Sequence, residues 1–183
     1  MRTRISREEW LKRPLRLPET GPYHPWLTDA GSLTARIRAR CGRLDVRVLA
    51  QRLARPHPDE AILLGLRAGE VAWLREVLLV ADGVPVVYAR SILPRHNLRG
   101  GWRLFSGIGN RPLGAALFAD PRISRAPLYC SRLDRRDARY HRALATGATS
   151  AATLWARRSV FRLKRRSLMV CEIFLPAIMT LDR

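Results

Sequence analysis

Apolar positions run almost without interruption over residues 72–94, on both sides of one short polar break. The stretch AWLREVLLVADGVPVVYARSILP reads as two strands joined at Ala81-Asp82-Gly83, because Asp-Gly between β-branched runs is a strong short-range hairpin signal. A second hairpin follows near the end of the chain: TLWARRSVFRL over 153–163, a basic turn Lys164-Arg165-Arg166-Ser167, and LMVCEIFLP over 168–176. Residues 44–53 alternate well enough for a further strand, and 122–133 read as another. Helical spacing is scarcer. Leu33, Ile37 and Arg40 share one face of a short helix, with Asp29 or Ser32 as its cap and Gly42 as its end. RPLGAALF over 111–118 reads as a second helix, with proline in its first turn and Asp120-Pro121 as its stop.

The intervals 59–70, 97–109 and 134–151 read as loops. Residues 1–20 are charged, proline-punctuated and aperiodic, which predicts a loose basic arm before a domain over 21–183. Consecutive strands on tight turns, with few helices, predict a single-domain α+β fold: an antiparallel sheet with helices packed on one side.

Composition narrows the function classes. A chain of 183 residues, 47% of them hydrophobic, can bury one real core. No apolar run approaches the length of a membrane span, and the basic N-terminus lacks the apolar centre of a secretory signal. Cys41, Cys130 and Cys171 are odd in number and without CxxC spacing, so a reduced, cytoplasmic protein free of disulfides and zinc is expected. The formal net charge of +19 invites a nucleic-acid partner. It is carried almost wholly by scattered arginine, with lysine only at Lys12 and Lys164, and no basic helix face or zinc-finger spacing accompanies it. Arginine alongside abundant Ala, Leu and Gly also follows from a GC-rich genome. No nucleic-acid partner is expected; steering of a small dianion is compatible with the charge.

Two charges stand inside the most apolar strands, Arg75 and Glu172. A guanidinium stays charged and is rarely left unpaired inside a protein, so Arg75 implies a fixed anion, internal or bound. The two residues pair across the sheet or face solvent, or else they line one pocket, Arg75 binding an anion and Glu172 accepting a hydrogen bond or acting as a base. Pro112-Leu113-Gly114 opens a helix whose first N–H groups could hold an anion. His24, His57, His96 and His141 sit in loops without metal-ligand spacing and read as solvated. Arg157-Arg158 reads as a solvated face. No P-loop, GxGxxG, nucleophile elbow or HExxH occurs.

Together these segments resemble the bacterial chorismate pyruvate-lyase family. The matching blocks are WLREVLL at 73–79, ADGVP at 81–85, RPLG at 111–114 with Leu117-Phe118, LWARRS at 154–159 and EIFLP at 172–176, in the family's order and at comparable spacing. The resemblance implies cofactor-free cleavage of chorismate to 4-hydroxybenzoate and pyruvate, the first committed step of ubiquinone synthesis. It also implies a monomer with about six antiparallel strands, a buried site under mobile flaps, and inhibition by the product. By residue it implies that Arg75 grips the ring carboxylate, that Leu113 contacts the ligand through its backbone, and that Glu172 meets the para-hydroxyl. Leu33 falls where the family carries a lid methionine, a change conservative in volume. The 134–151 segment looks longer than the family's usual connection.

A binding module is the alternative, because the effector-sensing domain of a class of bacterial transcription regulators shares this fold and a similar hairpin. The segment before Trp26 looks too short for the winged helix of those proteins, and RPLG and EIFLP favour the lyase.

Overall fold

The computed structural model describes residues 10–12, 20–98, 102, 105 and 107–182. Its strands are β1 (Leu44–Ala54), β2 (Ala72–Ala81), β3 (Val84–Pro94), β4 (Ile123–Arg125), β5 (Tyr129–Leu133), β6 (Leu154–Leu163) and β7 (Arg166–Phe174). Short helices are α1 (His24–Thr28), α2 (Leu33–Arg38), α3 (Pro58–Leu63), α4 (Leu113–Ala119) and α5 (Ala138–Leu144). The strands form one antiparallel sheet ordered β1-β2-β3-β7-β6-β4, with β5 also paired to β6. That is seven strands, one more than the approximate count expected.

Both hairpins form where the sequence places them. In the first, Asp82 (φ 48°) and Gly83 (φ 84°) both occupy the left-handed region that a two-residue strand turn demands. The Asp82 carboxylate also accepts hydrogen bonds from the Gly42 and Arg43 N–H groups at 3.1 and 2.7 Å, fixing the start of β1 beside the turn.

Three expectations change. Helices cover both faces of the sheet rather than one. Trp26, Leu27, Leu33 and Ile37 of α1 and α2 pack on Val77, Leu79 and Ala89, while Tyr140 and Ala143 of α5 pack on Leu74, Leu78 and Ile173 from the other side. The near-continuous apolar run of β2 is the cause, since a strand buried on one face alone would alternate. The supposed loop at 59–70 begins with α3, which has proline in its first turn and a capping box between His57 and Glu60. His57 is accordingly half-buried rather than solvated. The supposed loop at 134–151 contains α5, capped by Asp137, whose carboxylate accepts from the Arg139 N–H at 2.6 Å.

The 122–133 strand divides at 126–128, Ala-Pro-Leu, and both halves pair with β6; a proline has no N–H to continue the ladder. The arm expected over 1–20 lies largely outside the described residues. Its described part is docked: Leu11 bridges Cys130, and the Arg158 guanidinium sits 4.1 Å over the Trp10 ring.

Beneath α3 and α5 the sheet carries a buried ionic network. Arg90 on β3 donates to Glu60 at 3.0 Å and to Glu76 on β2 at 2.6 Å. Arg139 on α5 reaches Asp137 at 3.0 Å and Asp59 at 2.9 Å, and Arg158 on β6 also binds Asp59. Charge buried in low dielectric is costly unless it is paired this way. The network fastens the two helices to one face and leaves the other face for ligand chemistry.

Candidate active site

On a strand, neighbouring residues point to opposite faces. Arg75 and Glu76 are therefore divided between the two sides, and so are Arg157 and Arg158. Register places Arg75 opposite Ser91 and Ser91 opposite Val170; the next row holds Val77, Ala89, Glu172 and Arg157. Arg75 and Glu172 thus stand two strands and two residues apart, about 12 Å between Cα atoms from strand spacing and rise. They do not pair with each other. Both line one cavity, roofed by Leu33 from α2 and by Leu113 and Leu117 from α4. All four residues singled out from the sequence, Leu33, Arg75, Leu113 and Glu172, meet there.

Arg75 is 2% exposed. Its Nη2 donates to the Gly109 and Arg111 carbonyls at 2.8 and 3.1 Å, while its buried Nε has no partner. No described carboxylate forms an ion pair with it. Burial pushes the Arg75 pKa below the ordinary arginine value. An arginine nonetheless stays protonated, so the cavity wall holds an uncompensated positive charge.

Glu172 is held differently. Arg157 Nε donates to its Oε2 at 2.6 Å, and Arg157 Nη1 donates to the Trp26 and Asp29 carbonyls at 2.7 and 2.8 Å. Arg157 is 1% exposed, which corrects the solvated reading of Arg157-Arg158. Both arginines are enclosed because each face of β6 is covered. The signal was present in TLWARRSVFRL: the rule that flagged Arg75, a guanidinium inside an apolar strand, applies equally to Arg157.

The roof is fastened by the loop between α1 and α2. Asp29 accepts from the Gly31 N–H at 2.7 Å and from Arg36 Nη1 at 3.2 Å. Burial raises the Asp29 pKa, but the Gly31 N–H and the Arg36 guanidinium outweigh it and the net shift is downward. Arg125 of β4, which the sequence reading passed over, donates Nη1 to the Ala30 and Gly31 carbonyls at 2.9 and 3.3 Å and lines the same cavity. α2 and α4 approach so closely at Gly114 that an added Cβ would lie 2.9 Å from Thr34 Oγ1. That approach gives the glycine of RPLG its physical reason. Pro112 supplies no side-chain cap to α4. The glycine-rich interval 97–109 lies partly outside the described residues.

This arrangement can bind a flat anionic ligand: a buried guanidinium at one end, a carboxylate at the other, and Val77, Leu79, Ala89 and Val170 as an apolar floor. Among the described residues no helix is long and apolar enough to cross a membrane.

The chain resembles, in fold alone, the effector domain of PhnF from Mycobacterium smegmatis (18% identity, TM-score 0.54, covering 80% of this chain and 89% of that one). It likewise resembles the C-terminal domain of the histidine utilization repressor of Pseudomonas syringae (12% identity, TM-score 0.52, 74% and 93% covered). In sequence it is 68% identical over 183 residues to a protein of Aromatoleum aromaticum, covering 99% of both chains. It is 63% identical over 180 residues to one of Azoarcus sp. (strain BH72), covering 96% of this chain and 95% of the relative. Both relatives bear the name probable chorismate pyruvate-lyase. The sequence model described as chorismate lyase matches residues 9–183, and the chain belongs to the chorismate lyase family.

Proposed function

We propose that this protein cleaves chorismate to 4-hydroxybenzoate and pyruvate, the first committed step of ubiquinone synthesis. The observation that carries the reading is the buried Arg75 guanidinium, with no ion-paired carboxylate among the described residues, in the same cavity as the Arg157-held Glu172. Arg75 takes the ring carboxylate, and the first-turn N–H of Leu113 adds to the anion's hold. Glu172 accepts the hydrogen bond of the C4 hydroxyl, and Leu33 closes the lid over the ring.

The chemistry asks little covalent work of the protein. The C4 proton leaves, the C3–O bond breaks, and the ring becomes aromatic. The enolpyruvyl methylene carbon receives a proton, so the departing group is pyruvate and the atoms balance with no added reagent. Orientation of the bound diene and electrostatic support of the departing oxygen then supply most of the rate. A product held under the α2–α4 roof leaves slowly, so 4-hydroxybenzoate inhibits its own formation.

The test mixes purified protein with chorismate, follows 4-hydroxybenzoate by absorbance and couples pyruvate to lactate dehydrogenase. Equal amounts of both products, strongly reduced in Glu172→Gln, are expected. Tight 4-hydroxybenzoate binding without turnover would replace the lyase by an aromatic-acid sensor.

A further inference from the structure

The cavity holds more positive charge than one carboxylate requires. Two guanidiniums line it, those of Arg75 and Arg125, and the lining carboxylate Glu172 is already neutralised from behind by Arg157 at 2.6 Å. On the roof, Asp29 and Arg36 cancel each other. Arg75 and Arg125 remain, neither within ion-pair distance of a carboxylate among the described residues, and the charges of Glu172 and Asp29 reach Arg125 only through space. Their hydrogen bonding is alike. Each spends one terminal nitrogen on two loop carbonyls, Gly109 and Arg111 for Arg75, Ala30 and Gly31 for Arg125. Each also keeps a buried Nε with no partner. The Arg125 Cζ lies 5.5 and 5.2 Å from the Phe118 and Phe161 ring centroids, so its guanidinium is braced by two aromatic rings that also line the cavity.

We propose that Arg125 is the second carboxylate-binding group of this cavity, holding the side-chain carboxylate of a dicarboxylate substrate while Arg75 holds the ring carboxylate. Building on the chorismate reading above, Arg125 fixes the enolpyruvyl arm, the part that leaves. Two unpaired cations match a dianion, whereas a monoanionic product leaves one of them uncompensated. Arg125 therefore favours substrate over product, and its contacts to the Ala30 and Gly31 carbonyls couple the occupied arm to closure of the α1–α2 roof.

The test compares two probes by calorimetry: 4-hydroxybenzoate, with one carboxylate, and 4-(carboxymethoxy)benzoate, an uncleavable aryl ether with two. In Arg125→Gln the dicarboxylate should bind about 10- to 100-fold more weakly, the range of one charge-assisted hydrogen bond, while 4-hydroxybenzoate stays within about threefold. The kcat/KM for chorismate should fall by the dicarboxylate's factor. Equal weakening of both probes would reduce Arg125 to a roof clamp and overturn the proposal, as would no change in either. The wild-type protein gives a reading that needs no variant: masking the side-arm carboxylate of the ether as its methyl ester should weaken binding by a similar factor, and equal affinity of ester and acid would overturn the proposal. Wild-type protein that prefers the dicarboxylate yet does not cleave chorismate would retain the second subsite and reject the lyase.

Discussion

Replacing Arg75 by methionine separates stability from binding in a way few active-site substitutions do. In the ligand-free protein the guanidinium is 2% exposed, and among the described residues its hydrogen bonds run to two backbone carbonyls. Losing those bonds costs on the order of 1–3 kcal/mol, and removing a buried cation that lacks an anion returns a desolvation penalty of several kcal/mol. The two largely cancel, so the ligand-free Arg75→Met protein should unfold within about 1 kcal/mol of wild type, roughly 2–4 °C in Tm. Binding has no such compensation. Truncating one partner of a buried charge pair costs about 2–5 kcal/mol, or roughly 30- to 5,000-fold in Kd. In differential scanning fluorimetry, 4-hydroxybenzoate at about 100 times the wild-type Kd stabilises by about 2.7 kcal/mol, roughly 5–11 °C. The variant at the same concentration keeps about 0.9 kcal/mol at most, so it should shift by about 3 °C or less. A variant that loses about 2–5 kcal/mol without ligand, as a core deletion does, yet keeps the ligand-induced shift would refute the argument and make Arg75 a structural residue.

Gly114→Ala should press its new methyl on Thr34 Oγ1 and lift α2 from α4; the expected cost is about 1–3 kcal/mol, with KM for chorismate raised, and Thr34→Ala in the same chain should restore both. The network under α3 and α5 predicts an acid limit to stability. Burial pushes the Asp59 pKa up, but Arg139 and Arg158 pull it further down, to a net position below the ordinary 3.8. A group whose pKa is lower folded than unfolded stabilises fully above its unfolded pKa, so urea midpoints should be flat above about pH 5 and fall as pH drops through 3.8 and below, less steeply in Asp59→Asn. Glu60→Gln weakens the buried contacts of Arg90 and Arg139 and should lower stability by about 3–5 kcal/mol at neutral pH, while Kd for 4-hydroxybenzoate, whose proposed site is on the opposite face, should change little.

Much of this architecture is readable along the chain because its determinants are local. Asp82-Gly83 alone fulfils the dihedral demand of its turn, and the flanking runs can only be strands. Arg75 and Glu172 are visible as candidates because a charge inside an apolar strand needs a reason wherever that strand ends up. α3 and α5 were missed although their local signals exist, Pro58 with Glu60 and Asp137 as a cap, because six- and seven-residue helices show too little of a 3.6-residue period.

The hairpins, the two embedded charges and the family blocks that carry them are all written in local residue order. Which charges meet depends on the assembled sheet. Arg75 could have been matched by Glu172, by Glu76 or by nothing; strand alternation sends Glu76 to the far face, and register gives Glu172 to Arg157. Arg125 joins the cavity because Pro127 divides its strand and β4 pairs with the far end of β6, a non-local pairing that no window of the sequence contains. Charge type is written residue by residue. Charge partnership is set by which strands lie side by side, and long-range sheet pairing sets that order.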